Sequence, residues 1–370
     1  MINLTFPKIN DFNLFCNRAK DIFESGQLTN NGKYLQRLEN SLSEYLKVKS
    51  LVVSSGTIGL IITLKRLNLT GNVIVPSFTF CATVHALIWA GLKPNFVDID
   101  EETLNLDPKK VREAINADTS AILAVHVFGN PCAIDELQKI ADENSLKLVF
   151  DAAHAFGSKY NGKLIGGFGN AEVFSLHATK TLIAGEGGII TTNDDELLND
   201  LNKIRNFGFS DSINTSFIGT NAKMSEIHAL IGLDSLTNIN SDLQKKKELA
   251  AIYQKELNGL PGISFQKVEK NTESSYFFFS IIIDPIICGF NRDQLAEYLL
   301  KEGIQTRKYF FFPVHKQTAY KEYNPIDLPI TDKIASRILC LPSHVNLTIK
   351  DIYFICEKIK KALENGIINC

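Results

Sequence analysis

The chain has 370 residues, 45% hydrophobic and 22% charged, with a formal net charge of −2. That balance describes an ordinary globular protein large enough for two domains, and it excludes a disordered or fibrous chain. No run rich in lysine or arginine marks a nucleic-acid surface, and no apolar run reaches the roughly 18 residues of a membrane span.

The seven cysteines, at 16, 81, 132, 288, 340, 356 and 370, form no C-x-x-C pair and fall mostly in apolar runs. They read as reduced thiols of a cytoplasmic protein. The first eight residues lack a basic stretch followed by a long apolar one, so no secretory signal is expected. The histidines are scattered and form no ligand cluster, so no metal site is expected.

Apolar residues at helical spacing predict helices over 11–25, stopped by Gly26, and over 34–46, after the Asn30-Asn31-Gly32 turn. A strand at 51–53 leads into Ser54-Ser55-Gly56-Thr57, which opens a helix. Free backbone N–H groups and a hydroxyl there suit an anion, although a plain Ser/Thr cap has the same signature. A strand at 73–75 ends in Pro76, and Phe78 and Phe80 precede the next helix. Strand 94–98, helix 107–116, strand 121–126 and helix 134–144 continue a β–α alternation. Such alternation implies a mostly parallel sheet covered on both faces.

The stretch from Val149 to Ile190 carries the chemistry. An apolar run, 146–150, ends in Asp151. A second, 171–176, ends among Ser175, His177 and Lys180, and the Gly185-Glu186-Gly187-Gly188 turn leads into a further strand. Ligands of parallel α/β folds sit at the carboxyl ends of strands, so this acid and this lysine are aimed at one place. Pyridoxal phosphate chemistry needs that pair. A lysine amine condenses with an aldehyde, and a carboxylate keeps the pyridine nitrogen protonated and the ring an electron sink. Taken singly, each residue is ordinary: a lysine after a strand is a solvated charge, and an aspartate there is a helix cap.

Further on, a helix is expected over 194–206 and a long loop over 207–220. Asn221 then introduces a helical pattern from 222 to 257, broken near 238–240. Gly259, Pro261 and Gly262 divide the chain into a large domain, 1–258, and a small one, 259–370. The small domain reads as strand 276–283, helix 291–301, an extended stretch 305–312, and helices 331–339 and 348–366.

The ordered set Ser54 to Thr57, Val73 to Phe80, Phe96 to Asp100, Asp151 to Gly157, Phe174 to Lys180, Gly185 to Gly188 and Gly219-Thr220-Asn221 resembles the DegT/DnrJ/EryC1/StrS family. These are pyridoxal-phosphate-dependent sugar aminotransferases, and the resemblance spans nearly the whole chain. It implies the type I transferase fold of aspartate aminotransferase, α/β with a mostly parallel central sheet and a small C-terminal α/β domain.

It also implies roles. Lys180 and Asp151 would be catalytic, with Asp151 on the pyridine nitrogen and His154 on the 3′-oxygen side. Gly56, Thr57 and Ser175 would hold the phosphate, and Phe80 would stack on the ring, with Phe78 as the alternative. Asn221 would reach the cofactor phosphate of a neighbouring subunit, which makes the expected assembly a homodimer with shared sites; an N-cap role stays open for it. Thr29, Glu186, Tyr309 and His315 are implied substrate contacts, with a loop role for Thr29 and an exposed-turn role for Glu186 left open.

The implied reaction moves an amino group from L-glutamate to a nucleoside-diphosphate keto-6-deoxy sugar, first of all C4 of dTDP-4-keto-6-deoxyglucose, for O-antigen or another surface glycan. C3 amination is the alternative. A related sugar dehydratase would carry histidine in place of Lys180, and a non-catalytic regulator would have lost Lys180 or Asp151 or gained a DNA-binding domain. Neither nucleic acid nor membrane is an expected partner.

Overall fold

The computed structural model describes residues 1–7, 9–323 and 327–365. Gly366, the expected end of the last helix, and Cys370 lie outside them. Two amphipathic helices lead, α1 (Phe12–Ser25) and α2 (Lys33–Leu46). Asp11 caps α1 by accepting the Leu14 N–H, and Gly26 ends it in the left-handed conformation. Then alternate β1 (Ser50–Val53), α3 (Gly56–Arg66), β2 (Asn72–Pro76), α4 (Cys81–Trp89), β3 (Lys93–Val97), α5 (Pro108–Ala114), β4 (Thr119–Val125), α6 (Ile134–Glu143) and β5 (Lys147–Asp151). After the two-residue strands β6 (Lys159–Tyr160) and β7 (Lys163–Leu164) come β8 (Ala171–Ser175), β9 (Gly188–Thr191), α7 (Asp195–Arg205), α8 (Glu226–Thr237) and α9 (Ile239–Leu257).

The central sheet has the order β1-β9-β8-β5-β4-β2-β3. Strands β8, β5, β4, β2 and β3 pair in parallel, and β9 runs antiparallel to both its neighbours. Apolar side chains are buried on both faces of this sheet, one set with α2, α6 and α8, the other with α3, α4 and α7. This is why β4 and β5 read as continuous apolar runs rather than alternating ones.

The rest of the chain forms β10 (Ile263–Phe265), β11 (Thr272–Glu273), β12 (Phe279–Ile283), α10 (Pro285–Cys288), α11 (Arg292–Lys301), α12 (Pro329–Arg337), β13 (Ile338–Leu341) and α13 (Ile349–Asn365). Strands β10, β12 and β13 make an antiparallel sheet, with α11, α13 and the second half of α9 supplying its core through Leu249, Tyr253 and Leu257. Three of the boundaries that differ from expectation have a visible local cause. The helix expected over 331–339 gives way to β13 at Ile338, where pairing with β12 sets Ile282 opposite Ile338. Buried Arg292 donates to the carbonyls of Ala335 and Ile338 at that junction. The strand expected from 276 begins at Phe279, since Tyr276 has a positive φ of 47°. The helical run expected from 222 begins at Glu226, capped by the Ser225 hydroxyl.

Candidate active site

The carboxyl ends of β5 and β8 lie side by side, with Asp151 opposite Val173 in register. They open on a cleft of about 1150 Å³ of solvent-connected space, whose lining includes Gly56, Thr57, Phe80, Asp151, His154, Ser175, Lys180, Glu186 and Tyr309. Elements distant in sequence thus bring nine of the expected site residues to one place.

Asp151 is buried. Its Oδ2 accepts the Thr83 hydroxyl at 2.7 Å, and its Oδ1 accepts the Ala153 N–H at 3.0 Å. Burial raises its pKa, against the pull of Thr83, Ala153 and Lys180. A cation set against it in the cleft would offset that burial. Thr83 was not foreseen; its place in the first turn of α4, facing the sheet, is what puts its hydroxyl within reach.

His154 stacks on Phe277, with ring centroids 4.3 Å apart, and lies parallel to Phe310 at 6.2 Å. Burial holds its pKa well below the usual histidine range, so the ring is neutral. Its Nδ1 is buried with no hydrogen-bond partner among the described residues, an orphan that suits a ligand hydroxyl or oxygen.

Lys180 follows β8 on a loop zipped against the glycine turn. Leu176 N–H donates to the Gly187 carbonyl, Ala178 N–H to the Gly185 carbonyl, and Lys180 N–H to the His177 carbonyl. Burial is the larger influence on the amine and lowers its pKa to about 8, with Asp151 pulling the other way. Gly188 begins β9 so close to α3 that a Cβ there would lie 2.6 Å from the Gly56 nitrogen. Only glycine permits this approach, which fixes the α3 N-terminus beside Ser175. Ser55, not Thr57, caps α3, accepting the Ile58 N–H. That leaves the Thr57 hydroxyl and the Gly56 and Thr57 amides facing the cleft without a protein acceptor among the described residues. Such a helix start favours an anion.

Phe80 lines the cleft and is exposed, whereas Phe78 is buried edge-on to Phe128 and Phe310. Glu186 sits 3.7 Å from His177 Nε2. Three expected residues do not line this cleft. His315 is buried away from it, its Nδ1 2.6 Å from the Ser77 hydroxyl and its Nε2 3.6 Å from Asp332. Thr29 and Asn221 are exposed on the surface of their own chain. Asn221 caps no helix, since α8 starts five residues later. Arg307, also in the lining, was not foreseen from the sequence.

The profile of the DegT/DnrJ/EryC1/StrS aminotransferase family matches residues 11–360. The chain is 37% identical to the dTDP-4-amino-4,6-dideoxy-D-glucose transaminase of Escherichia coli over 355 residues, 94% of each chain. It is 34% identical to the GDP-perosamine synthase of Vibrio cholerae, over 92% of this chain and 94% of that one. A solved structure of DesI in the presence of its TDP-sugar product superposes with a TM-score of 0.94 at 36% identity, covering 99% of this chain and 94% of that one.

Proposed function

The chain belongs to the DegT/DnrJ/EryC1/StrS aminotransferase family, and from that premise we propose that it transfers an amino group from L-glutamate to C4 of a nucleoside-diphosphate 4-keto-6-deoxy sugar. The family depends on pyridoxal phosphate. When bound, this cofactor supplies an aldehyde that condenses with amines and a ring that takes up the electron pair released at a substrate carbon.

The residues of the cleft fit that group. Asp151 would hold the ring nitrogen, and His154, with its orphan Nδ1, the 3′-oxygen side. Phe80 would cover the ring, and Gly56, Thr57 and Ser175 would bind the phosphate. Lys180 is the reactive amine and proton carrier. It would move the proton at the donor's α-carbon in the first half-reaction and at the sugar's amine-bearing carbon in the second. A pKa near 8 leaves about a tenth of such an amine neutral at pH 7, against less than about one in a thousand for a free lysine. The observation that carries the reading is this juxtaposition, a buried carboxylate and a lysine of lowered pKa at two strand ends of one cleft.

The E. coli relative is named for a dTDP-linked 4-amino sugar, which favours C4 and dTDP, and the Vibrio cholerae relative is named for GDP. Incubation with glutamate and each of dTDP-4-keto-6-deoxyglucose and its GDP-mannose-derived counterpart, with product identified by mass and NMR, tests the proposal. A 4-amino sugar from one of them is expected, and no amino sugar from either would overturn it.

We further propose a homodimer in which Asn221 and Thr29 serve the partner's site. Both lie off their own cleft, and exposed Phe207, Phe209, Ile213 and Ile218 precede Asn221 on the same loop. Light scattering should give twice the chain mass; a fully active monomer would exclude it. The free thiols at Cys16, Cys81, Cys132, Cys288, Cys340 and Cys356 fit the cytoplasmic location expected for it.

A further inference from the structure

Five arginines, Arg66, Arg112, Arg205, Arg292 and Arg337, each face a carboxylate. Arg307, like Arg18 and Arg37, does not: among the described residues no acid lies within ion-pair distance of it, and of these three it alone lines the cleft. Its backbone is pinned to β13, with Arg307 N–H donating to the Cys340 carbonyl at 3.1 Å and Cys340 N–H to the Arg307 carbonyl at 2.8 Å. Its guanidinium carbon lies 4.9 Å from the Tyr309 ring centroid, a cation–π contact that orients the planar fork. It lines the same cleft as Lys180.

A continuous aromatic wall joins the two cations. Lys180 Nζ is 4.7 Å from the Phe277 centroid, Phe277 stacks on His154, His154 lies parallel to Phe310, and Phe310 meets Tyr309 at 5.1 Å. The two acids of the lining are engaged elsewhere, Asp151 with Thr83 and Ala153, Glu186 beside His177. The cleft therefore presents an oriented, unpaired fork of donors to whatever enters it. Guanidinium geometry matches carboxylate and phosphate oxygens two at a time.

We propose that Arg307 is the seat for the anionic group of a substrate, a planar or tetrahedral oxyanion held by paired hydrogen bonds. This deepens the aminotransferase reading and rests on it. Both substrates of that reaction are anions, so the oxyanion is either the carboxylate of the amino donor or the diphosphate of the sugar nucleotide.

The test is calorimetric titration of holoenzyme with 2-oxoglutarate and, separately, with dTDP, in wild type, Arg307→Gln and Arg307→Lys. Arg307→Gln should weaken one probe by roughly 10- to 100-fold, the loss of one charge-assisted pair, and leave the other within about threefold. Arg307→Lys should recover part of the loss. Loss of 2-oxoglutarate identifies a carboxylate seat, and loss of dTDP a diphosphate seat. Unchanged affinity for both, or equal weakening of both, overturns the proposal, with cofactor absorbance and melting temperature confirming intact protein. Wild-type holoenzyme that binds neither probe, and yields no amino sugar, would instead sink the aminotransferase reading, and the proposal with it.

Discussion

Two lysines lie against the ring of Phe277, and they occupy different surroundings. Lys180 Nζ is 4.7 Å from the ring centroid and Lys246 Nζ 5.5 Å. Burial lowers both amines, Lys180 to about 8 and Lys246 to about 7. Lys180 opens on the cleft that holds Asp151. Lys246, on α9, donates to the Thr181 hydroxyl at 3.2 Å and the Phe277 carbonyl at 3.3 Å. It lines a second cavity with Thr5, Phe6, Asp242 and His344, which Lys180 also borders, but unlike Lys180 it does not line the cleft. The larger depression thus belongs to the lysine outside the cleft. A lowered amine pKa reports burial; access to a ligand and a carboxylate aimed at the same ligand are what make an amine catalytic.

Substitution is the sharpest way to break the comparison. Lys180→Ala should lower turnover with glutamate and keto sugar by roughly 10⁴-fold or more, since it removes both the reactive amine and the proton carrier. Lys246→Met should stay within about tenfold of wild type in the same assay. Equal losses would mean that the cleft does not distinguish the two amines.

Asp151→Asn comes next. Removing the charge that holds a ring nitrogen protonated relaxes its pKa by about 1–3 units, so a loss of roughly 10- to 1000-fold is expected. His154→Asn should cost only a few-fold in a side-by-side assay. Because burial keeps His154 neutral, that ring should contribute no inflection to the rate profile between about pH 6 and 8.

The subtlest effect is on stability. Lys246 titrates near 10.4 when unfolded and near 7 when folded. Between those values the unfolded chain binds the extra proton, so this residue's contribution to stability rises with pH; below about 7 its cost is complete. Lys246→Met removes the slope. The stability of the variant minus that of wild type should therefore fall by about 1.4 kcal/mol per pH unit from about pH 7 to 9, measured by urea unfolding at matched pH. A difference that does not move would mean that Lys246 remains charged in the folded protein.

Much of the fold was legible because its signals are local. Apolar runs closed by Asp151 and by Ser175 to Lys180 marked two strand ends, and the β–α alternation placed them in one parallel sheet. Where pairing partners decide, the reading failed. Residues 338–341 carry apolar residues that extend the pattern of the preceding helix, and only their ladder with β12 makes them a strand. The strands β6, β7 and β11 are two residues each, too short for any period to show. A glycine in the first turn of a helix, such as Gly59, reads as loosening the start of α3. Yet a Cβ there would lie 2.9 Å from Val173 Cγ1, so its absence lets α3 sit close on the sheet.

The site was legible to the same degree. Asp151, His154, Ser175 and Lys180 fall within one stretch of thirty residues, and Phe80 differs from Phe78 only in the direction its backbone gives it. Arg307 carried no signal, because its meaning lies in the absence of an acid around it among the described residues and in a ring two residues on. His315 was an expected substrate contact, but its ring turns to Ser77 and Asp332 instead.

The most direct measurement fixes the bond itself. Holoenzyme treated with borohydride, digested and mapped by mass spectrometry should carry the pyridoxyl mass on the peptide containing Lys180, and on none containing Lys246. Label on Lys246, or on no lysine of fully cofactor-loaded protein, would contradict the account.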